Sequence, residues 1–296
     1  MQNRRKGLFI SLMILPQFIV FLIFIVYPSL NGLILSFTEW SGLVAGPVFV
    51  GLKNYKTLFT ADPIVWQSFM RNIYFLFSVS VPVLIIAMFY SVLIVRLKIK
   101  GGGFFRIVSF FPNVLSIVII TILWTFIFNP SLGLVNPALK ALGLENLTRA
   151  WLGDRQTVKE ALTVTMIWPA VGYQMLFYIA GMAAIPPSLY ESARIDGAGE
   201  VRQFFSITLP LLAEILIISS SLFIIQAFDG TFRYIWVMTS GGPNHSSEIL
   251  ATWLFQKAFR DFNFGYGSAI GTLIFAITLF FALTTRSFLR KRSVEY

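Results

Sequence analysis

The chain has no cysteine, a single histidine and little charge. Only 12% of its 296 residues are Asp, Glu, Lys or Arg, against about 25% in a soluble domain. The missing cysteines exclude disulfides and thiolate metal sites and leave the redox compartment undetermined. One imidazole, His245, builds neither a metal centre nor a Ser–His–acid triad and reads as an ordinary loop residue. No G-x-x-x-x-G-K-[ST] phosphate loop occurs, because Gly101-Gly102-Gly103 lacks the lysine and hydroxyl that hold phosphate and Mg²⁺. No nucleotide, metal or other cofactor is therefore expected on this chain. A net charge of +10 raises nucleic-acid binding, but the basic residues border apolar runs and belong to no nucleic-acid motif. No nucleic-acid partner is expected.

What the chain has is hydrocarbon: 56% hydrophobic residues, 16% aromatic and a mean hydropathy of +0.77. A bilayer core of about 30 Å takes roughly 20 apolar residues as helix. Six segments meet that length, at approximately 8–37, 69–95, 107–128, 162–184, 211–228 and 269–288. The first follows Arg4-Arg5-Lys6 like a signal peptide, but its apolar run is too long and no A-x-A site follows, so it reads as a retained span. The expectation is an all-α integral membrane protein with six transmembrane helices in one domain, residues 1–296.

The basic residues orient it. Arg4-Arg5-Lys6, then Arg96, Lys98, Lys100 and Arg106, then Arg194 and Arg202, then Arg286, Arg290, Lys291 and Arg292 all fall on one side of a six-span thread. That side is read as cytoplasmic, with both termini there. The long loops 38–68, 129–161 and 229–268 are read as outer.

One inner loop, residues 186–210, is polar and compact. Pro186-Pro187 stop the preceding span, and Ser188 followed by Glu191 fits a capping box. Ala193 and Gly197 put small residues on one helical face, and Gly197-Ala198-Gly199 break the helix. A second short helix is expected from about 200 to 208, with Pro210 opening the next span, where its missing N–H costs nothing. Taken alone, these features also fit an amphipathic loop lying on the membrane surface.

The order of residues resembles the "EAA" loop of binding-protein-dependent ABC importer permeases. That pattern is E-A-A, three residues, G, nine residues, I-x-L-P; here it reads Glu191-Ser192-Ala193, Gly197 and Ile207-Thr208-Leu209-Pro210. Ser192 in place of the first Ala is the one departure, small for small. "FVGLKNYKTLF" (49–59), "TSGGPNHSSEILATWLFQKAF" (239–259) and "FGYGSAIGTLIF" (264–275) are similar to stretches of the carbohydrate branch of that family, the maltose and glycerol-phosphate permeases. The resemblance covers nearly the whole chain and implies a type I importer permease fold in a prokaryotic cell membrane. It also implies partners: a second homologous permease, a cytoplasmic ABC ATPase dimer that binds ATP and Mg²⁺, and an extracytoplasmic sugar-binding protein. Glu191, Ser192, Ala193, Gly197, Ile207, Leu209 and Pro210 are then the ATPase-coupling residues. Such a chain is not an enzyme by itself.

Polar side chains at membrane depth need a partner or water. Sugars are bound by aromatic faces together with amides and carboxylates, so Gln174, Tyr178, Gln226 and Asp229 are the candidates to line a solute pathway. Against this, Ser in a span commonly bonds its own backbone or packs helices, and Asp229 with Arg233, four apart, can simply pair. Two other classes stand beside the importer reading. An ion-coupled secondary transporter would titrate Asp229 or Glu214, and a membrane scaffold would transport nothing.

Overall fold

The computed structural model describes residues 2–42, 46–97 and 99–290; the side chains of 2–11, 224, 225, 227, 229 and 285–290 lie outside that description. The chain begins as α1 (Gln2–Phe21), passes through one π turn (Leu22–Val26) and continues as α2 (Tyr27–Leu35). A two-stranded antiparallel ribbon, β1 (Thr38–Glu39) and β2 (Val48–Phe49), follows, with Thr38 opposite Phe49. Then come α3 (Lys53–Thr60) and the long α4 (Pro63–Val95). Proline at the first helical position suits that start, and the Asp62 carboxylate caps it by accepting from the Ile64 N–H at 2.9 Å. α4 thus starts six positions before the expected span at 69, because Pro63 and the Asp62 cap set its first turn there.

The expected span at 107–128 is not one straight helix. α5 (Gly102–Phe110) runs into a 3₁₀ turn (Phe111–Val114), and α6 (Ile117–Ile127) leaves at 102° to it. Pro112 starts that turn, Leu115 and Ser116 take extended backbone (ψ 147° each), and the Ser116 hydroxyl caps α6 by accepting from the Ile119 N–H at 3.3 Å. Hydropathy registers none of this, since the run stays apolar throughout.

After α7 (Val135–Ala141) the chain forms α8 (Val158–Ala183), α9 (Pro187–Ile195), α10 (Glu200–Gln203), a π turn (Phe204–Thr208), α11 (Leu209–Leu211), α12 (Ala213–Asp229) and α13 (Thr231–Met238). It ends with α14 (Leu250–Phe255), a π turn (Gln256–Arg260) and α15 (Phe264–Arg290). Among the described residues four helices are long and apolar enough to cross a membrane: Leu12–Leu35, Pro63–Val95, Val158–Ala183 and Phe264–Thr284. Two bent pairs bring the number to six, namely α5 with α6 and the 200–211 run with α12, the second bent by 65°. Helices satisfy every backbone group internally, which is what a lipid environment demands. The apolar side chains of α1 and α2 from 12 to 34 stay largely exposed, as lipid-facing or partner-facing surface does.

The chain divides into two compact units, Met1–Val65 with Trp253–Ala276, and Trp66–Thr252 with Ile277–Tyr296. In the first, Asp62 is the hub: its Oδ2 accepts from the Trp253 indole at 2.8 Å and the Tyr266 hydroxyl at 2.7 Å. Asn54, buried, donates to the carbonyls of Ser36 and Thr38 at 2.9 and 2.8 Å and so fixes the start of the ribbon. In the second unit, three core clusters lie among the described residues. Phe75, Leu162, Met166, Ile235 and Ile249 form one, Val83, Ala87, Met175 and Tyr178 another, and Met182, Ile185, Tyr190 and Leu212 the third.

Candidate functional site

Two features of the second unit carry chemistry. The first is an open cavity of about 520 Å³ walled by α4, α8, α12, α13 and the bend between α5 and α6. Its position depends on a close approach. At Gly172 on α8, an added Cβ would stand 1.9 Å from the Ser109 carbonyl oxygen on α5, so only glycine lets these two backbones meet. Beside that contact, Asn113 donates from Nδ2 to the Pro169 carbonyl at 2.9 Å, which ties the bend to α8 and holds an amide at the cavity wall.

The cavity brings two of the sequence candidates together. Gln174 from α8 and Gln226 from α12 both line it. Gln174 is 2% exposed, and its Nε2 has no hydrogen-bond partner among the described residues. Gln226 is exposed. Asp229 lies outside the described side chains. Tyr178 is fully buried in the core, with its hydroxyl 3.5 Å from the Ser219 hydroxyl, and is not part of the wall. Tyr173, five residues earlier on α8, is exposed and lines the cavity, which Arg233 and Tyr234 also line. Sequence reasoning passed over Asn113, and the signal was there: an amide directly after a proline inside an apolar run. The phenol faces, amides and one guanidinium, over a floor of Phe75, Met166 and Phe223, suit an uncharged or anionic polyhydroxylated solute.

The second feature is the 186–210 segment. α9 does not start with a capping box: Pro186 is the N-cap and Pro187 the first helical residue, so Ser188 falls at the second position and no side-chain cap bond forms. The fixed φ of Pro187 starts the helix instead. α9 ends at Ile195 with Asp196 as its C-cap, and Gly197 takes φ +76°. The Ala198 N–H then donates to the Ala193 carbonyl at 2.8 Å and the Gly197 N–H to that of Arg194 at 3.0 Å, a Schellman end. Glycine is required there for its backbone alone, since nothing lies within 4 Å of where its Cβ would be.

The return helix is longer than expected. α10, the π turn and α11 run on as one helical stretch from Glu200 to Leu211, and the bend falls at Leu212. Pro210 therefore lies inside this stretch and does not open the next span. The π turn just before it, closed by the Leu209 N–H to the Phe204 carbonyl, is the kind of local widening that accommodates a helical proline. Glu191, Ser192, Gly197 and Pro210 are exposed, and Ala193, Ile207 and Leu209 half-buried. Glu191 forms no ion pair among the described residues, which leaves its carboxylate facing outward.

His245 is better anchored than a plain loop residue. Its Nδ1 lies 3.0 Å from the Oε2 of buried Glu248, in a loop also held by the Thr239 and Ser247 hydroxyls at 2.9 Å.

No protein-family model matches the chain. It is similar over its whole length to "Probable ABC transporter permease protein YurN" of Bacillus subtilis, 38% identical over 296 residues and covering 100% of both chains. The "Trehalose/maltose transport system permease protein MalF" of Thermococcus litoralis is 34% identical, over 92% of this chain and 90% of the relative. The "Diacetylchitobiose uptake system permease protein NgcF" of Streptomyces coelicolor is 33% identical, over 89% and 77%. The fold is like that of a chain in the crystal structure of a bacterial ABC transporter involved in alginate import, with a TM-score of 0.85, 21% identity and coverage of 99% and 98%.

Proposed function

The chain belongs to the ABC transporter permeases, and from that premise we propose that it forms half of the pathway of a carbohydrate importer and couples it to ATP hydrolysis through the 186–210 segment. The other half is a second, homologous permease. ATP and Mg²⁺ are bound by a pair of cytoplasmic ATPases, and an extracytoplasmic binding protein delivers the sugar. The 186–210 segment and both termini lie on the cytoplasmic side, on the strength of the basic residues bordering the spans there.

The observation that carries the sugar reading is the cavity wall itself, where the amide residues Gln174, Gln226 and Asn113 stand beside Tyr173. A sugar hydroxyl accepts from the amide while its C–H face covers an aromatic ring. The named cargoes of the relatives, trehalose, maltose and diacetylchitobiose, support the same class. Coupling rests on the exposed Glu191 and the glycine-closed end of α9, which present a short rigid helix to a partner.

The test is uptake of a radiolabelled panel (maltose, trehalose, diacetylchitobiose and glycerol 3-phosphate) by vesicles containing the chain with its companion subunits. Uptake of at least one sugar, lost in the Gln174→Ala/Gln226→Ala double variant, is expected. Uptake that persists unchanged in that variant overturns the pathway assignment. Uptake abolished by a protonophore while ATP remains available would assign the chain to ion-coupled transport instead.

A further inference from the structure

Arg96 follows directly on α4 and reads from the sequence as one of several inner-side orientation charges. The structure gives it a more specific position. Its side chain is only 14% exposed, and its guanidinium carbon lies 3.4 Å above the centre of the Tyr190 ring on α9. The edge of the same group reaches the return helix, donating to Gln203 Oε1 at 2.9 Å and to Glu200 Oε2 at 3.4 Å. Gln203, itself 2% exposed, passes the connection on by donating from Nε2 to the Ala198 carbonyl, in the turn, at 2.7 Å. Tyr190 completes the ring, its hydroxyl 3.0 Å from that of Thr208. One guanidinium therefore meets α9 through its face, the return helix through its edge, and the turn between them through one intervening amide.

The packing underneath has the same geometry. Tyr190 sits in the core cluster with Met182, Ile185 and Leu212, and Met88, Val92 and Val95 of α4 pack against that cluster. The last turns of α4 and the 186–210 segment thus share an apolar seat, with Arg96 locking its rim. The alternative partner for an arginine at a helix C-terminus is the helix's own last carbonyls, but here the guanidinium bonds across to the segment.

We infer that Arg96 is a positioning residue that makes the 186–210 segment and the end of α4 move as one body, so that a displacement imposed on the segment by the ATPases is delivered to the span. This inference rests on the coupling role proposed for the segment. The chemistry requires arginine: a planar cation can stack by its face and donate along its edge at once, whereas a lysine ammonium makes only a point contact. Arg96→Lys keeps the inner-side charge, and with it the orientation signal, and removes the planar group that stacks on Tyr190 while its edge donates to Gln203 and Glu200.

The absence of native cysteine makes the test direct. Cysteines placed at Leu97 and Ser206, both exposed, carry spin labels at the end of α4 and on the return helix. The distance between the labels is measured by double electron–electron resonance in the assembled complex, without nucleotide and after trapping with ATP and vanadate. With Arg96 present the distance distribution is narrow and the same in both states. In Arg96→Lys it broadens or becomes state-dependent, while the ATPase subunits still co-purify and hydrolyse ATP. Tyr190→Leu gives the same change, and combining the two adds nothing further. An unaltered distribution in Arg96→Lys overturns the inference, as does failure of Arg96→Lys to assemble, which would make Arg96 a residue of folding alone. Gly197→Trp scores the coupling role separately: if sugar uptake from the panel above persists in that variant, the coupling reading fails whatever Arg96 does.

Discussion

Gly172 and Ser109 bring two helix backbones so close that a methyl group on the first would stand 1.9 Å from the carbonyl oxygen of the second. Backbone rather than a flexible side chain is the obstacle, so the helices must part to admit it. Gly172→Ala is expected to destabilise the protein by about 1–3 kcal/mol, the usual range for overpacking, and to lower its melting temperature in detergent. Because Asn113 is tied to Pro169 beside this contact, the same change is expected to weaken uptake more than the stability loss alone accounts for.

Tyr173 and Tyr178 separate by role. Removing the Tyr178 hydroxyl loses a 3.5 Å contact with Ser219, which keeps its own bond to the Leu216 carbonyl at 3.0 Å, and a contact with the Gln174 amide. Tyr178→Phe is therefore expected to leave uptake kinetics near wild type, and Tyr178→Ala to cost about 3–5 kcal/mol as a core truncation. Tyr173→Ala should do the reverse, raising the half-saturating sugar concentration with little change in melting temperature. Concentration-dependent uptake and thermal melts of the variants separate the two.

Gly197 is needed for its φ of +76° and for no packing reason. Left-handed backbone costs a non-glycine residue roughly 1–2 kcal/mol, and asparagine less. The expected order of residual uptake is Gly197→Asn above Gly197→Ala above Gly197→Val, with membrane levels of the protein similar in all three. Equal uptake across the series would contradict the turn's role.

Asp62 holds two donors on one oxygen, from Trp253 and Tyr266. Asp62→Leu leaves both without their acceptor, at about 1–3 kcal/mol for each buried group, whereas Asp62→Asn keeps a carbonyl oxygen in place. Limited proteolysis of the 38–62 region should be faster in the leucine variant and near wild type in the asparagine variant.

The helical runs could be read from residues alone because length and hydropathy are all a lipid core asks of them. What escaped were places where chain chemistry acts inside a uniformly apolar run. Pro112 and Ser116 bend residues 102–127 by 102° without lowering hydropathy. The π turn over Phe204–Thr208 keeps Pro210 within a helix that the residue pattern ends there. Ser188 and Glu191 have the right spacing for a capping box, but Pro187 takes the first helical position and shifts the register by two. In the cavity, Gln174 and Gln226 were identifiable as amides in spans. Tyr178 shares the helical face of Gln174 and differs in depth, one turn further along α8 and into the core. Depth along a helix has no periodic signature.

The central claim is that uptake is driven by ATP through the glycine-closed end of α9. It is tested most directly in proteoliposomes containing the complete complex, with ATP enclosed beside the ATPases and ion gradients collapsed by ionophores. Sugar uptake in that state by the wild-type complex, and its loss in Gly197→Trp with the ATPases still bound, is the result expected. Uptake that stops when the gradients collapse and survives Gly197→Trp would contradict the account.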